Sequence, residues 1–513
     1  MAMPSSARLP LLLMLAGVFV AASDLTVVST ILPQIVFDLE IPLRTGLSQA
    51  AWIVNAYLIA YTLTLPLLGH VSDQFGRRNT FLACLVLFSA GSLVAGTARA
   101  LEVMIAGRAI QALGAGAMVP VAMAHVADVL PSERRPLALG IVGAVDTAGW
   151  VIGPLYGALM VALSQWRWIF FINVPFSVAV GAGLWHCMRK PLQNAGRIQP
   201  SGGWQQIDWL GASALTTALL ALTLALSGSQ QEGGGSLFAS QTGFNPHALP
   251  LAVCALVALI VFVWQERRAV RPLIPLGLFA DRTLAAACAA NLLVGAALII
   301  AMVDVPLFVN VAVAQTLAEA PLLSGSALAL FTLGMVGGSL AGGWLAGRHG
   351  YRLPSLCGVA LAGAGFYVMA QWRGGIALPD MAAGLVMCGI GFGMVISPIA
   401  SAVINSAGPA ERGIASALVL IQRLVGMALG LAALTTWGIY RLNVLSAAVP
   451  PLDRTDPTQV ARYLIEQARL LSVQVIGELF LTAALVCLCA LLPVILMRDK
   501  LSSSAPVAPL GWR

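Results

Sequence analysis

Charge is what this sequence has least of. Asp, Glu, Lys and Arg make up 10% of its 513 residues while hydrophobic residues take 59%, whereas a soluble domain carries roughly 25% charged residues. With a mean hydropathy of +0.89, the chain cannot cover a water-facing surface and reads as an integral membrane protein. Lysine is almost missing, with Lys190 and Lys500 alone. No GxxxxGK[ST], HExxH or GxSxG occurs, so an ATP-driven pump or an intramembrane enzyme lacks its chemistry, and no catalytic residue is expected. The eight cysteines (Cys84, Cys187, Cys254, Cys288, Cys357, Cys388, Cys487, Cys489) fall in or beside apolar runs, without CxxC spacing or a partnering His. They read as small core residues, with neither a disulfide framework nor a metal site.

What the chain has in quantity is long apolar runs. At roughly 20 residues per crossing, helices are expected near 10–37, 48–71, 80–97, 102–128, 137–162 and 168–187. Two follow near 209–227 and 248–266, and six more near 283–313, 324–347, 353–371, 380–405, 413–446 and 458–496. Six, two and six make fourteen, which leaves both termini on one side. Arg8, an apolar stretch and AAS at 21–23 imitate a cleaved signal peptide, but apolar character resumes past Asp24 to Val36, so the segment is expected to stay as the first span. Loops on the side of the N-terminus hold 18 of the 28 basic residues. The net charge of +7 is therefore read as orientation, with cytoplasmic termini and no nucleic-acid surface. Ser227–Pro246 (SGSQQEGGGSLFASQTGFNP) reads as an external Gly/Ser-rich linker.

The chain also repeats itself. GHVSDQFGRR at 69–78 and GWLAGRHGYR at 343–352 stand 274 residues apart, and PSERRPLALG and PAERGIASAL, from Pro131 and Pro409, stand 278 apart. Two related six-helix halves explain both pairs. The expected organisation is 1–190 as the N-terminal half, 191–280 as two linker helices, and 281–513 as the C-terminal half with an outer extension at about 441–470.

With these motifs the chain resembles the major facilitator superfamily, in its fourteen-helix drug:proton antiporter branch. GHVSDQFGRR is similar to that family's cytoplasmic loop motif at Gly69, Asp73, Gly76, Arg77 and Arg78, with Gln74 in place of the usual Arg. GRAIQALGAG resembles the fourth-helix motif, giving Arg108, Gln111 and Gly116. AGWVIGPLYG resembles the antiporter motif of the fifth helix, giving Gly149, Gly153, Pro154 and Gly157, with Ala158 replacing its last Gly. VDVPLF, VIGPLYG, RGIASALVLIQRLVGM, LAALTTWGIYRLN and IGELF are further similar to the mycobacterial triacylglyceride exporters of this branch. The resemblance implies an all-α fold of two pseudo-symmetric halves plus two inserted helices in a bacterial inner membrane. It also implies alternating access, no cofactor beyond a proton gradient, and a monomer surrounded by membrane lipids.

Charges inside the spans cost about 2.5–3.5 kcal/mol on insertion scales and therefore call for a role. They are Asp24, Arg108, Asp146, Asp304, Arg423 and Glu478. Asp24 and Asp304 lie 280 residues apart, and Asp146 and Arg423 lie 277 apart, so each pair falls at equivalent depth on equivalent helices. The expectation is that Arg423 pairs alternately with Asp24 and another acid, Asp146 first, while a proton takes the free carboxylate. A static ion pair that only fixes packing is the competing account. Asp24→Asn is expected to fold and to lose proton-driven export. Arg108 is expected to brace its helix through Gln111, and Glu478 to lie near the outer surface as a packing or accessory coupling residue. In the loop motif, Gly69 and Gly76 permit a tight turn and Asp73 can accept hydrogen bonds from a helix N-terminus, a contact that would change as the halves rock.

The last two spans are too long. The run 413–446 would make ~51 Å of helix at ~1.5 Å per residue against a hydrocarbon core of ~30 Å, so an outer hairpin turning near VPPLDRTDP is expected. Such a hairpin could guide acyl chains outward or dock a periplasmic lipoprotein carrier; it could also simply stiffen the outer gate. The cargo is thus read as a lipid or lipophilic substrate, with a multidrug:proton antiporter of amphipathic drugs or dyes as the alternative.

Overall fold

The computed structural model describes residues 5–40, 50, 52–163, 165–188, 208–227, 248–269, 272–314, 316, 319–447 and 457–499. Most of the expected linker 227–246 and of the hairpin turn lies outside them. Fourteen long α-helices run through the described residues. They are α1 (Ser5–Asp38), α2 (Trp52–Phe75), α3 (Arg77–Gly96), α4 (Leu101–Val129), α5 (Arg135–Leu163), α6 (Arg167–Cys187), α7 (Trp209–Ser227), α8 (Ala248–Glu266), α9 (Arg282–Phe308), α10 (Ala320–His349), α11 (Arg352–Met369), α12 (Leu378–Ser406), α13 (Arg412–Ala447) and α14 (Pro457–Leu496). No strand occurs among the described residues. Thirteen of the helices are long and apolar enough to cross a membrane, and Trp209–Leu222 of α7 is a shorter apolar stretch. The protein is a multi-pass membrane protein.

Helices are the only open-ended way to satisfy backbone polar groups in hydrocarbon, and small residues decide how near they approach. A Cβ on Gly149, Gly153 or Gly157 of α5 would collide with Ala22, Ser23 or Val27 of α1, so α5 lies tight along the helix that carries Asp24. The second set repeats this seam: Gly426 and Gly430 of α13 press on Leu292 and Ala296 of α9. The two sets meet along α2 with α13 and α5 with α10. On the second seam Ser339 Oγ donates to Gly140 O at 2.9 Å, and Ser397 Oγ of α12 donates to Pro136 O.

The long helices exceed the sequence expectation. α13 has 36 residues and α14 has 40, or ~54 and ~60 Å of helix. Arg441 and Glu478 join them by a bidentate pair of 2.7 and 3.0 Å. α9 does not stay α-helical to its expected end: Val309–Val313 forms a π-helical turn, and Ala312 O there accepts Gly375 N–H at 3.0 Å and Arg469 Nη2 at 2.8 Å.

Candidate functional site

Asp24 sits in the middle of α1 and is 3% exposed. Here its partner is Arg108 of α4, while Arg423, expected to alternate between Asp24 and Asp146, faces the latter: Arg108 Nη1 lies 2.5 Å from Asp24 Oδ2 and Nη2 donates to Asp24 O at 3.3 Å. The offset arithmetic behind the sequence expectation places residues in depth along their helices, whereas pairing is decided by which way each helix is turned. Asn173 of α6 donates to Asp24 Oδ1 at 3.0 Å. Arg108 also donates to Gln111 Oε1 at 2.7 Å, and Gln111 passes the chain on to Ser92 Oγ at 2.6 Å. The guanidinium stacks 4.0 Å from the ring centre of Tyr57. Five helices therefore hold one carboxylate, and a largely apolar cavity of about 190 Å³ opens beside it, walled by Phe19, Val27, Ile152, Ile169 and Phe176 among others.

Arg423 of α13 instead faces Asp146 of α5 at 3.6 Å. That separation is a Coulombic contact longer than a hydrogen bond. It crosses from one six-helix set to the other, beside a small cavity of about 30 Å³ bounded by Trp150, Met302, Phe331 and Met335. Asp304 of α9 joins neither cluster. It is 1% exposed, and its Oδ2 has no hydrogen-bond partner among the described residues. Glu478 is paired with Arg441 on the long hairpin, away from these acids.

The loop motif forms a third cluster, between the sets. Asp73 accepts the backbone N–H groups of Gly413 and Ile414, at 2.8 and 3.0 Å, where α13 begins and its N-terminal dipole favours an anion. Arg77 pairs with Asp73 at 2.6 Å and with Asp128 at 2.8 Å, and Asp128 also meets Arg412 at 3.1 Å. A Cβ on Gly69 would lie 2.8 Å from Ala417 Cβ, so only glycine allows α2 this close to α13. Gly76 turns the chain at φ 87°, in the region glycine reaches without strain. Arg78 stands outside the cluster and donates to Met188 O at 2.9 Å. Gln74, where the family motif has Arg, is 2.8 Å from His70 within its own helix. Pro154 lies inside α5.

Sequence reasoning did not pick out Asp128, Ser92 or Asn173. Asn173 could have been found, because FFINVPF sets a polar amide inside an apolar run, the same signal that marked Asp24. Asp128 sits at a helix end, where a charge needs no explanation until its partners are seen. Among the described residues no cluster of His, Cys, Asp and Glu could hold a metal.

Comparison with known proteins agrees with this architecture. The family model described as Major Facilitator Superfamily matches residues 14–431. A triacylglyceride transporter of Mycolicibacterium smegmatis is 34% identical over 502 residues, covering 94% of this chain and 86% of its own. One from Mycobacterium tuberculosis H37Rv is 35% identical over 495 residues, covering 92% and 90%. Among solved structures, a human organic anion transporter superposes with a TM-score of 0.59 at 17% identity, over 96% of this chain and all of the other. A proton:xylose symporter bound to a bromodeoxyglucose gives a TM-score of 0.59 at 13% identity, over 97% of each. At such low identities these two attest the fold alone. The family profile, the relatives alike along almost their whole length and the two-fold helix packing agree: this chain is a member of the major facilitator superfamily.

Proposed function

We propose that this transporter is a proton-coupled secondary exporter of triacylglyceride-like lipid across the bacterial inner membrane, working by alternating access with both termini in the cytoplasm. The observation that carries the reading is the pair of buried ionic contacts at different places in the bundle. Asp24 is locked to Arg108 within one half, whereas Asp146 and Arg423 face each other across the halves at 3.6 Å. A contact that spans the halves is made and broken as they rock, and a carboxylate holds a proton more readily when its guanidinium leaves. The coupling pair is therefore Asp146 with Arg423. Asp24 takes part through Arg108 and Asn173, and Asp304 is a reserve carboxylate with no such partner.

Lipid cargo is supported by the mycobacterial relatives, which are triacylglyceride transporters, and by the apolar walls of the cavity beside Asp24. The joined hairpin of α13 and α14, longer than any crossing needs, would carry acyl chains outward or receive a periplasmic lipoprotein carrier. A cationic amphiphile is the second reading, favoured by one feature: that apolar cavity contains a carboxylate. Reconstituted protein, given fluorescent triacylglyceride and an imposed pH gradient, separates the two. Gradient-dependent lipid transfer, lost in Arg423→Gln, is expected. Transfer equal with and without the gradient removes proton coupling, and dye transport without lipid transfer favours the second reading.

A further inference from the structure

The cluster built on Asp73 has a two-fold mate, and the mate lacks its acids. By the offsets of 274 and 278 residues, Asp73 corresponds to Gly347, Arg77 to Tyr351, Asp128 to Ser406 and Arg412 to Arg134. In the first cluster two carboxylates neutralise two guanidinium groups. At the mate both carboxylates and one guanidinium are replaced by neutral residues, and where two of these positions, Tyr351 and Ser406, lie, a cavity of about 200 Å³ opens, its lining including also Ser132, Arg135, Asn405 and Arg498.

Two arginines and no carboxylate line that cavity. Arg135 is half-buried at the start of α5. It donates through Nη1 to Asn405 Oδ1 at 2.5 Å and through Nε to Leu130 O at 2.9 Å, and it forms no ion pair among the described residues. Asn405 in turn donates to the Tyr351 phenol oxygen at 2.5 Å. Arg498 is exposed at the rim. The acids close by already have donors: Asp281 accepts the N–H groups of Thr283 and Leu284 and, at 3.4 Å, the Ser406 hydroxyl, Glu133 accepts the Ser132 hydroxyl at 2.8 Å, and Asp499 accepts the N–H groups of Tyr351 and Arg352. The guanidinium forks, the amide and the hydroxyls of such a cavity match the oxygens of a phosphoryl group.

We propose that this cavity binds a phosphoryl anion, supplied by the head group of an anionic phospholipid or by free phosphate, and that the anion clamps the two halves at this end as Asp73 and Asp128 do at the mate. Arg135 belongs to the first six-helix set and Tyr351, Asn405 and Arg498 to the second, so the complete site exists only while the halves are closed here. The inference is independent of cargo and of proton coupling.

The test uses full-length protein and the variants Arg135→Gln and Arg498→Gln; the second changes an exposed side chain and keeps the comparison open should the first misfold. One arm titrates potassium phosphate calorimetrically against potassium chloride at equal ionic strength. The other recovers the protein from phosphatidylcholine nanodiscs containing phosphatidylglycerol and measures retained lipid by native mass spectrometry. Phosphate binding weakened about tenfold or more in each folded variant supports a soluble anion. Retained phosphatidylglycerol that falls by a similar factor, without phosphate binding, supports the lipid source. Absence of binding in both arms, or binding equal in wild type and Arg498→Gln, overturns the proposal.

Discussion

Replacing Arg108 by Met removes the cation that stacks over Tyr57 but keeps most of the apolar stem. The carboxylate of Asp24, 2% exposed on its side chain against 1% for Arg108, would keep the hydrogen bond from Asn173 at 3.0 Å but no cation. Breaking a buried ion pair from one side costs about 3–5 kcal/mol, because the remaining charge stays desolvated. At about 2 °C per kcal/mol, an apparent Tm roughly 6–10 °C lower is expected. Asp24→Asn should be destabilising too, since it strands the arginine with Gln111, a backbone carbonyl and an aromatic ring. The variant is still expected to fold, with a lower melting temperature. The double variant Asp24→Asn/Arg108→Met removes both charges and should recover about 1–3 kcal/mol relative to the sum of the singles. Thermal melting of the four proteins in one detergent, followed by intrinsic fluorescence, measures the cycle. Single variants melting within about 1 °C of wild type, or strictly additive losses, would show that Arg108 does not compensate Asp24 and would refute the reasoning.

Three further outcomes follow from the geometry. Gly69→Val should wedge α2 off α13, because a Cβ already lies 2.8 Å from Ala417 Cβ and 3.0 Å from Gly413 O; cross-linking between the loops preceding α3 and α13 should fall with transport. Asp73→Asn removes the anion from the start of α13, a contact worth about 0.3–2 kcal/mol. Distance measurements across the same end should show the open population rising several-fold, and an unchanged distribution would dismiss the latch. Glu478→Gln should shift stability by no more than about 1 kcal/mol, since the Arg441–Glu478 side chains are 33% and 26% exposed; a larger drop in melting would make the hairpin pair structural.

The crossings were legible because hydrocarbon thickness imposes a run length that little else imitates, and the expected helix 102–128 appears as Leu101–Val129. The excess of α13 and α14 was legible for the same reason, from rise per residue alone. Asp73 at a helix N-terminus could be anticipated as a type of contact, but not that the helix would be α13. Of the two acids expected for Arg423, Asp146 is the one it faces; that Arg108 answers Asp24 was not legible, because spacing along the chain carries no information about which face Arg108 presents. The glycine seam of α5 was noticed as a motif without its opposite number, α1, being known.

Sequence by itself determined the solvent of this protein, the places of its long apolar helices, the two-fold repeat and the inventory of charges that hydrocarbon makes expensive. These are local properties, written in the length and composition of consecutive residues. Tertiary structure alone decided that Asp24 answers to Arg108 and Asp146 to Arg423, that Asp128 bridges Arg77 and Arg412, and that a cavity opens at Tyr351 and Ser406, where the other half holds Arg77 and Asp128. Those choices depend on the rotation and crossing of helices remote in sequence, where a turn of a fraction of a helix repeat exchanges one ionic partner for another.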